Sequence, residues 1–205
     1  MSVGVLEVGF GNLPSLRRIL NQIDVEAFEI LDVDSLIEAN HLIIPGVGSF
    51  ASAMAFINEK GFAEALRQRC LSQHRPTLGI CLGAQILLEE GSEGGDHHGV
   101  GIFKGRVVNL SSTLDSQSSH NGWDKVRVSK DFLGFQKDMN FDAYFNHDFI
   151  FNVTDSSDIY ALSDHGGIFP VVLKKNSTYA VQFHPEKSQS AGLHLIKEFV
   201  GIPDV

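Results

Sequence analysis

The chain has 205 residues, 43% hydrophobic and 20% charged, which is ordinary for a soluble globular protein with a substantial core, so residues 1–205 are expected to form a single domain. A net charge of −9 argues against non-specific nucleic-acid binding, and no apolar run is long enough to cross a bilayer. No charged-then-apolar leader precedes Val3, and two cysteines, Cys70 and Cys81, cannot build a disulfide scaffold or a zinc knuckle, so the expectation is a reduced, cytoplasmic protein without membrane or nucleic-acid partners.

Val3 to Val8 reads as a first strand, ending in Gly9-Phe10-Gly11-Asn12. Asn12 is a good N-cap, Pro14 suits a first turn, and Leu13, Leu16, Ile19 and Leu20 supply one face of a helix. Val25 to Ile30 and His41 to Ile44 read as the second and third strands, and Phe50 to Cys70 as helix broken near Gly61. Gly46-x-Gly48-x-x-Ala51 formally fits a dinucleotide fingerprint, but it follows the third strand, Pro45 crowds its start and no ribose-binding acid is placed. No nucleotide or other cofactor is therefore expected, and a plain glycine turn stays open at this point.

Pro76 opens a short apolar strand, Thr77 to Ile80, that meets Cys81 between Gly79 and Gly83. Leu82, Ile86 and Leu87 continue as an amphipathic, helix-like run. Gly-x-Cys-x-Gly between strand and helix is the cysteine form of a nucleophile elbow, in which small neighbours permit a tight, strained turn. The helix N-terminus would favour thiolate, and the Leu82 N–H would face an oxyanion. Taken alone, Cys81 reads equally as a small buried hydrophobe.

From Val100 the pattern changes to short β segments around Val107, Val126, Tyr144, Tyr160, Val171 and Val181, followed by a helix from about Gln189 to Val200. Asp96-His97-His98 is the only tight histidine cluster in sequence, it is flanked by glycines, and no metal site is expected there or elsewhere. Ser111 to Ser119 reads as a mobile surface loop. The last strand, Thr178 to Phe183, ends at Pro185, which cannot donate to a ladder. On extended backbone His184 and Glu186 project to one side, encoding a base and the carboxylate that orients it. With Cys81 they complete a nucleophile, base and orienter set.

Gly79-Ile80-Cys81-Leu82-Gly83-x-Gln85 together with Gln182-Phe183-His184-Pro185-Glu186 resembles the class I (triad) glutamine amidotransferases. Pro45-Gly46-Val47-Gly48-Ser49-Phe50, Gly122-Trp123 and His184-Pro185-Glu186-Lys187-Ser188 narrow the resemblance to their branch of imidazole glycerol phosphate synthase glutaminase subunits. The likeness runs from the Gly9 to Leu13 loop to the last helix. It implies an α/β fold with a mostly parallel central sheet, flanking helices and a smaller antiparallel sheet in the second half. It also implies hydrolysis of L-glutamine and delivery of ammonia to a barrel-type cyclase partner in a heterodimer of histidine biosynthesis.

Residue by residue, the resemblance makes Cys81, His184 and Glu186 catalytic, and Gly48 and Leu82 the oxyanion donors. It assigns Gln85, Glu93, His147 and Asp148 to the glutamine pocket, with Glu93 on the α-amino group, and Asn12, Trp123 and Lys187 to the partner face. Position alone leaves Gln85 and Glu93 as solvated polar groups and Trp123 as a core residue. Asp148, Ala84 and Asn121 depart from the family's usual residues. The rival readings are a paralogous glutaminase subunit that amidates another small molecule, such as a surface-polysaccharide sugar, a catalytically silent regulatory module, and a cysteine peptidase. The intact Cys81, His184 and Glu186 argue against the silent module, and Gln85 with the Glu two residues after His184 favours free glutamine over a peptide.

Overall fold

A computed structural model of the chain describes residues 2–9, 13–114 and 119–203. Strands β1 (Val3–Val5), β2 (Val8–Gly9), β3 (Ala27–Glu29), β4 (His41–Val47) and β5 (Thr77–Cys81) alternate with helices α1 (Leu13–Asn21), α2 (Val33–Glu38), α3 (Phe50–Glu59) and α4 (Phe62–Arg67). The first expected strand is divided: β1 pairs with β3 and β4, whereas β2 pairs with β4 alone. Gly61, at φ 73°, separates α3 from α4, where the helical pattern was expected to break. Asn12 and its proposed cap lie outside the described residues.

After β5 the helix α5 covers only Leu82–Gln85, and Leu88–Gly91 is already strand β6. The amphipathic run is therefore one helical turn followed by extended chain, because Leu88, Glu90 and Gly91 pair with Phe103, Arg106 and Val107. The remaining strands are β7 (His97–His98), β8 (Phe103–Asn109), β9 (His120–Val128), β10 (Asn140–His147), β11 (Phe149–Val153), β12 (Ile159–Asp164), β13 (Ile168–Lys175) and β14 (Thr178–Val181). Helix α6 is a single turn, Leu110–Thr113, within the stretch expected to be loop, and α7 is Gln189–Val200. Residues 115–118 of that stretch are outside the described residues.

The large sheet runs β10-β9-β12-β13-β14-β5-β4-β1-β3, with β2 beside β4. Its half around β14, β5, β4, β1 and β3 is parallel, and β13, β12, β9 and β10 extend it antiparallel. The smaller sheet, β11-β8-β6-β7, is antiparallel except where β6 runs parallel to β8. Alternation along β4 separates two cores. Ile43 packs with Leu16, Leu20, Leu195 and Phe199, from α1 and α7, whereas Leu42 and Ile44 pack with Met54, Ile57, Phe62 and Leu66, from α3 and α4. Covering both faces is what allows a parallel sheet to be apolar throughout.

A positive charge is also buried in this frame. Arg69 is 1% exposed and donates to the carbonyls of Ala39, Asn40 and Pro76 at 2.8–3.0 Å and to Thr77 Oγ1 at 3.1 Å. These bonds tie the end of α2 to the start of β5, and so fix the strand that carries Cys81. Among the described residues no helix is long and apolar enough to cross a membrane, and Cys70 and Cys81 are both free.

Candidate active site

Cys81 ends β5 at φ 53° and ψ −109°, a conformation that a side-chain-bearing residue adopts only at a cost. The flanking glycines are steric requirements. A Cβ at Gly83 would lie 1.8 Å from the Ile44 carbonyl oxygen, and one at Gly79 2.6 Å from the Gly83 oxygen. Gly83→Ala must push α5 off β4, so we expect a loss of about 1–3 kcal/mol and misplacement of the thiol. Urea unfolding together with glutamine turnover checks this, and unchanged values in both would refute the close approach. Because α5 is a single turn, its dipole adds little at the sulfur; the strained turn and the neighbouring groups position it instead.

His184 follows β14, and β14 lies directly beside β5, with Val181 opposite Ile80. Continuous extended backbone is the expectation for His184 and Glu186. Here Pro185–Lys187 is a 3-10 turn, and it is this turn that swings Glu186 back. The outcome is the expected pair: His184 Nδ1 meets Glu186 Oε1 at 2.8 Å, with both side chains buried. The His184 backbone is also held, since its N–H donates to the Tyr144 carbonyl at 2.9 Å and its carbonyl accepts from Ser188 Oγ at 2.7 Å.

Burial pushes His184 down, but the Cys81 thiol and the Glu186 carboxylate outweigh it and hold the imidazole up to about 10. Its Nε2 makes no well-aligned hydrogen bond, which is usual for a catalytic base before substrate arrives. Cys81 Sγ has two further neighbours that sequence reasoning left without a role. The Asn146 carbonyl accepts from the thiol at 3.9 Å, and Gln182 Nε2 donates to the sulfur at 3.7 Å. Gln182 in turn accepts from Gln85 Nε2 at 3.3 Å, and Gln85 also donates to the Phe149 carbonyl at 3.1 Å. Gln182 stood inside the quoted motif, but only the packing of β14 against α5 reveals its contacts.

A cavity of about 200 Å³ opens over the sulfur, lined by Gly48, Leu82, Gln85, Glu93, His147 and Asp148 among others. It is smaller than the roughly 300–1,000 Å³ of drug-sized sites and suits an amino-acid side chain better than a peptide. The register sets Gly46 opposite Cys81, which brings Val47 and Gly48 to the rim. Gly48 has φ 123° and open space around it, whereas a Cβ at Gly46 would meet the Val8 oxygen at 2.4 Å. Glu93 Oε2 accepts from the Phe50 N–H at 2.7 Å, and Ser49 caps the same helix by accepting from the Ser52 N–H. Glu93 is thus bound to the segment that carries Gly48.

His147 and Asp148 reach the cavity at the end of β10, but the His147 ring turns inward. Its Nδ1 donates to the Phe149 carbonyl at 2.9 Å, and burial pushes it down to about 3. Trp123 and Lys187 are brought together elsewhere, on Tyr144. The Trp123 ring stands edge-on to it at 6.1 Å, and Lys187 Nζ lies 5.2 Å from its centre. Trp123 is 50% exposed, against the general tendency of tryptophan to be core. Asn12, the third expected residue of that face, is outside the described residues. The Asp96-His97-His98 run gathers no ligand set among the described residues, and Asp96 pairs with Arg106.

Known proteins resemble the chain over nearly its whole length. The chain is 38% identical to imidazole glycerol phosphate synthase subunit HisH 1 of Campylobacter jejuni (strain RM1221) over 97% of this chain and 98% of that protein. It is 35% identical to subunit HisH of Rhodopirellula baltica over 98% of each. A solved glutamine amidotransferase superposes with a TM-score of 0.74 at 22% identity, covering 98% of this chain and 99% of the other. One from Thermotoga maritima gives 0.63 at 16% identity, covering 97% and 81%. These two likenesses concern the fold. The family model "Glutamine amidotransferase class-I" matches residues 15–201, and the chain belongs to that family.

Proposed function

We propose that this single domain is the glutaminase subunit of an imidazole glycerol phosphate synthase in histidine biosynthesis. The carrying observation is the buried His184–Glu186 pair beside a strained Cys81 that lines a small polar cavity. The names of the relatives, matched over nearly the whole chain, support the pathway.

In the proposed reaction His184 takes the thiol proton, and the Cys81 thiolate attacks the side-chain carbonyl of L-glutamine. The Leu82 and Gly48 N–H groups stabilise the tetrahedral oxyanion, and Glu186 holds the tautomer that leaves His184 Nε2 towards the sulfur. The C–N bond breaks as His184 returns the proton to nitrogen, which releases ammonia and leaves a thioester. Water attacks the thioester, giving glutamate and the free thiol. Glu93 receives the substrate's α-ammonium, and Gln85, His147 and Asp148 complete the pocket. Ammonia passes to a barrel-type cyclase docked on the face of Asn12, Trp123 and Lys187.

The isolated chain should be a poor glutaminase. Glycines on both sides of Val47 permit a peptide rotation there, so the resting loop can turn a carbonyl where the second oxyanion donor belongs. One missing donor costs about 100- to 1000-fold in kcat. Docking of the partner, completed by its acceptor substrate, restores it. Steady-state assays of the chain alone and with partner and acceptor check this; equal kcat in both would show that no gate exists. Copurification with a barrel-type synthase tests the pathway, and the acceptor that synthase aminates separates this reading from a paralogous subunit serving a sugar.

A further inference from the structure

We propose that His120, Asp124 and His165 form a binding site for a divalent transition-metal cation of the zinc type. Each offers one ligand atom, and the three lie within 4.8 Å of one another. Asp124 Oδ2 is 3.3 Å from His120 Nε2 and 3.6 Å from His165 Nδ1. With metal–ligand bonds of about 2.0–2.1 Å, the edge of a tetrahedron is roughly 3.3–3.4 Å. The Asp124–His120 separation matches that edge, the Asp124–His165 one is slightly longer, and three protein ligands leave a fourth position for water.

The surroundings orient this set as a ligand shell would be. Asp124 Oδ1 accepts from the Lys125 N–H at 2.7 Å, which leaves Oδ2 aimed at the two imidazoles. The His120 ring, 2% exposed, is clamped between Phe145 at 4.3 Å and His165 at 4.0 Å, both nearly parallel to it. His165 is the adjustable member. It lies a third exposed on the turn between β12 and β13, followed by Gly166 and Gly167, both at positive φ. Seating an ion requires this ring to tilt out of its stack so that its lone pair converges with the other two. Two imidazoles and one carboxylate suit zinc, cobalt, nickel or copper and are a poor set for magnesium or calcium, which take oxygen cages.

The sequence conceals the site, because Asp124 and His165 lie on different hairpins and only the β9–β12–β13 neighbourhood joins them. The cluster is separate from the glutaminase machinery, although the His147 ring, 5.0 Å from His120, backs onto both. Trp123 precedes Asp124 on β9 and projects to the opposite face. A bound cation would strap the β12–β13 turn to the strand that presents Trp123.

Titration of the full-length Cys81→Ser protein with Co²⁺ tests the proposal, the serine removing the catalytic thiol as a competing ligand. One equivalent should produce the intense visible bands of a four-coordinate site, and Zn²⁺ should displace them. Losing even an outer partner of a metal ligand costs about 10- to 100-fold in affinity, so His165→Ala and Asp124→Asn should each weaken binding by at least that much. His165 is on an exposed turn and Asp124→Asn keeps the side chain's size, so both variants should fold, as circular dichroism will show. Absence of the bands in the folded protein, or Co²⁺ affinity in both variants unchanged from that of the parent Cys81→Ser protein, overturns the site.

Discussion

Cys81→Ala in the assembled synthase should abolish glutamine-dependent product formation and leave ammonia-dependent formation intact. In the proposed reaction the sulfur is the atom that attacks, and its neighbours offer no substitute: Gln182 donates to it and the Asn146 carbonyl accepts from it. Losing the nucleophile of a hydrolytic triad costs on the order of 10⁶-fold in kcat. The fold should be unaffected, since alanine meets the same φ of 53° that cysteine already bears. Ammonia supplied as a salt bypasses the glutaminase half altogether. Parallel assays with glutamine and with an ammonium salt decide the matter. Loss of both activities in a complex that still assembles would remove Cys81 from the nucleophile's role.

His184→Ala should be nearly as severe, because in the proposed reaction one imidazole serves as base in the first step and acid in the second. Each role is worth about 10²- to 10⁴-fold. Glu186→Gln keeps the shape but not the charge, and it should cost up to about 10⁴-fold through the wrong tautomer. The Cys81→Ala, His184→Ala double variant should be no slower than either single one, since groups that act as a unit do not add. Alkylation of Cys81 by iodoacetamide gives an independent readout. It should slow in His184→Ala, where the thiol has lost the base held up to about 10. Wild-type rates of alkylation and turnover in that variant would exclude His184.

Much of this arrangement was legible in the residues, and the failures have physical causes. Gly79 and Gly83 announced a tight turn, and the structure shows both pressed against backbone. Leu82, Ile86 and Leu87 fitted a helical period, yet β8 captures the chain at Leu88, so tertiary pairing overrode periodicity. The strand expected to run to Phe183 stops at Val181, short of Pro185, and the 3-10 turn that this proline opens does the work assigned to extended backbone. The contacts of Gln182, Asn146 and Phe149 depend on which strands are neighbours. Spacing along one chain does not specify that order. Trp123 and Lys187 belonged to one expected face, while Tyr144, the ring between them, had no signal of its own.

The adjacency of β5 and β14 also bears on how the protein is made. Cys81 leaves the ribosome long before its base, with about a hundred residues still to be translated at roughly 5–20 residues per second. For those seconds the nascent chain holds a thiol but no imidazole, no orienting carboxylate and no Gln182 beside the sulfur. Strand β14 must then insert between β5 and β13, which closes the largest gap in the sheet order. On the proposed mechanism, unfinished or truncated polypeptides that lack His184 would leave the glutamine pool of the cell untouched.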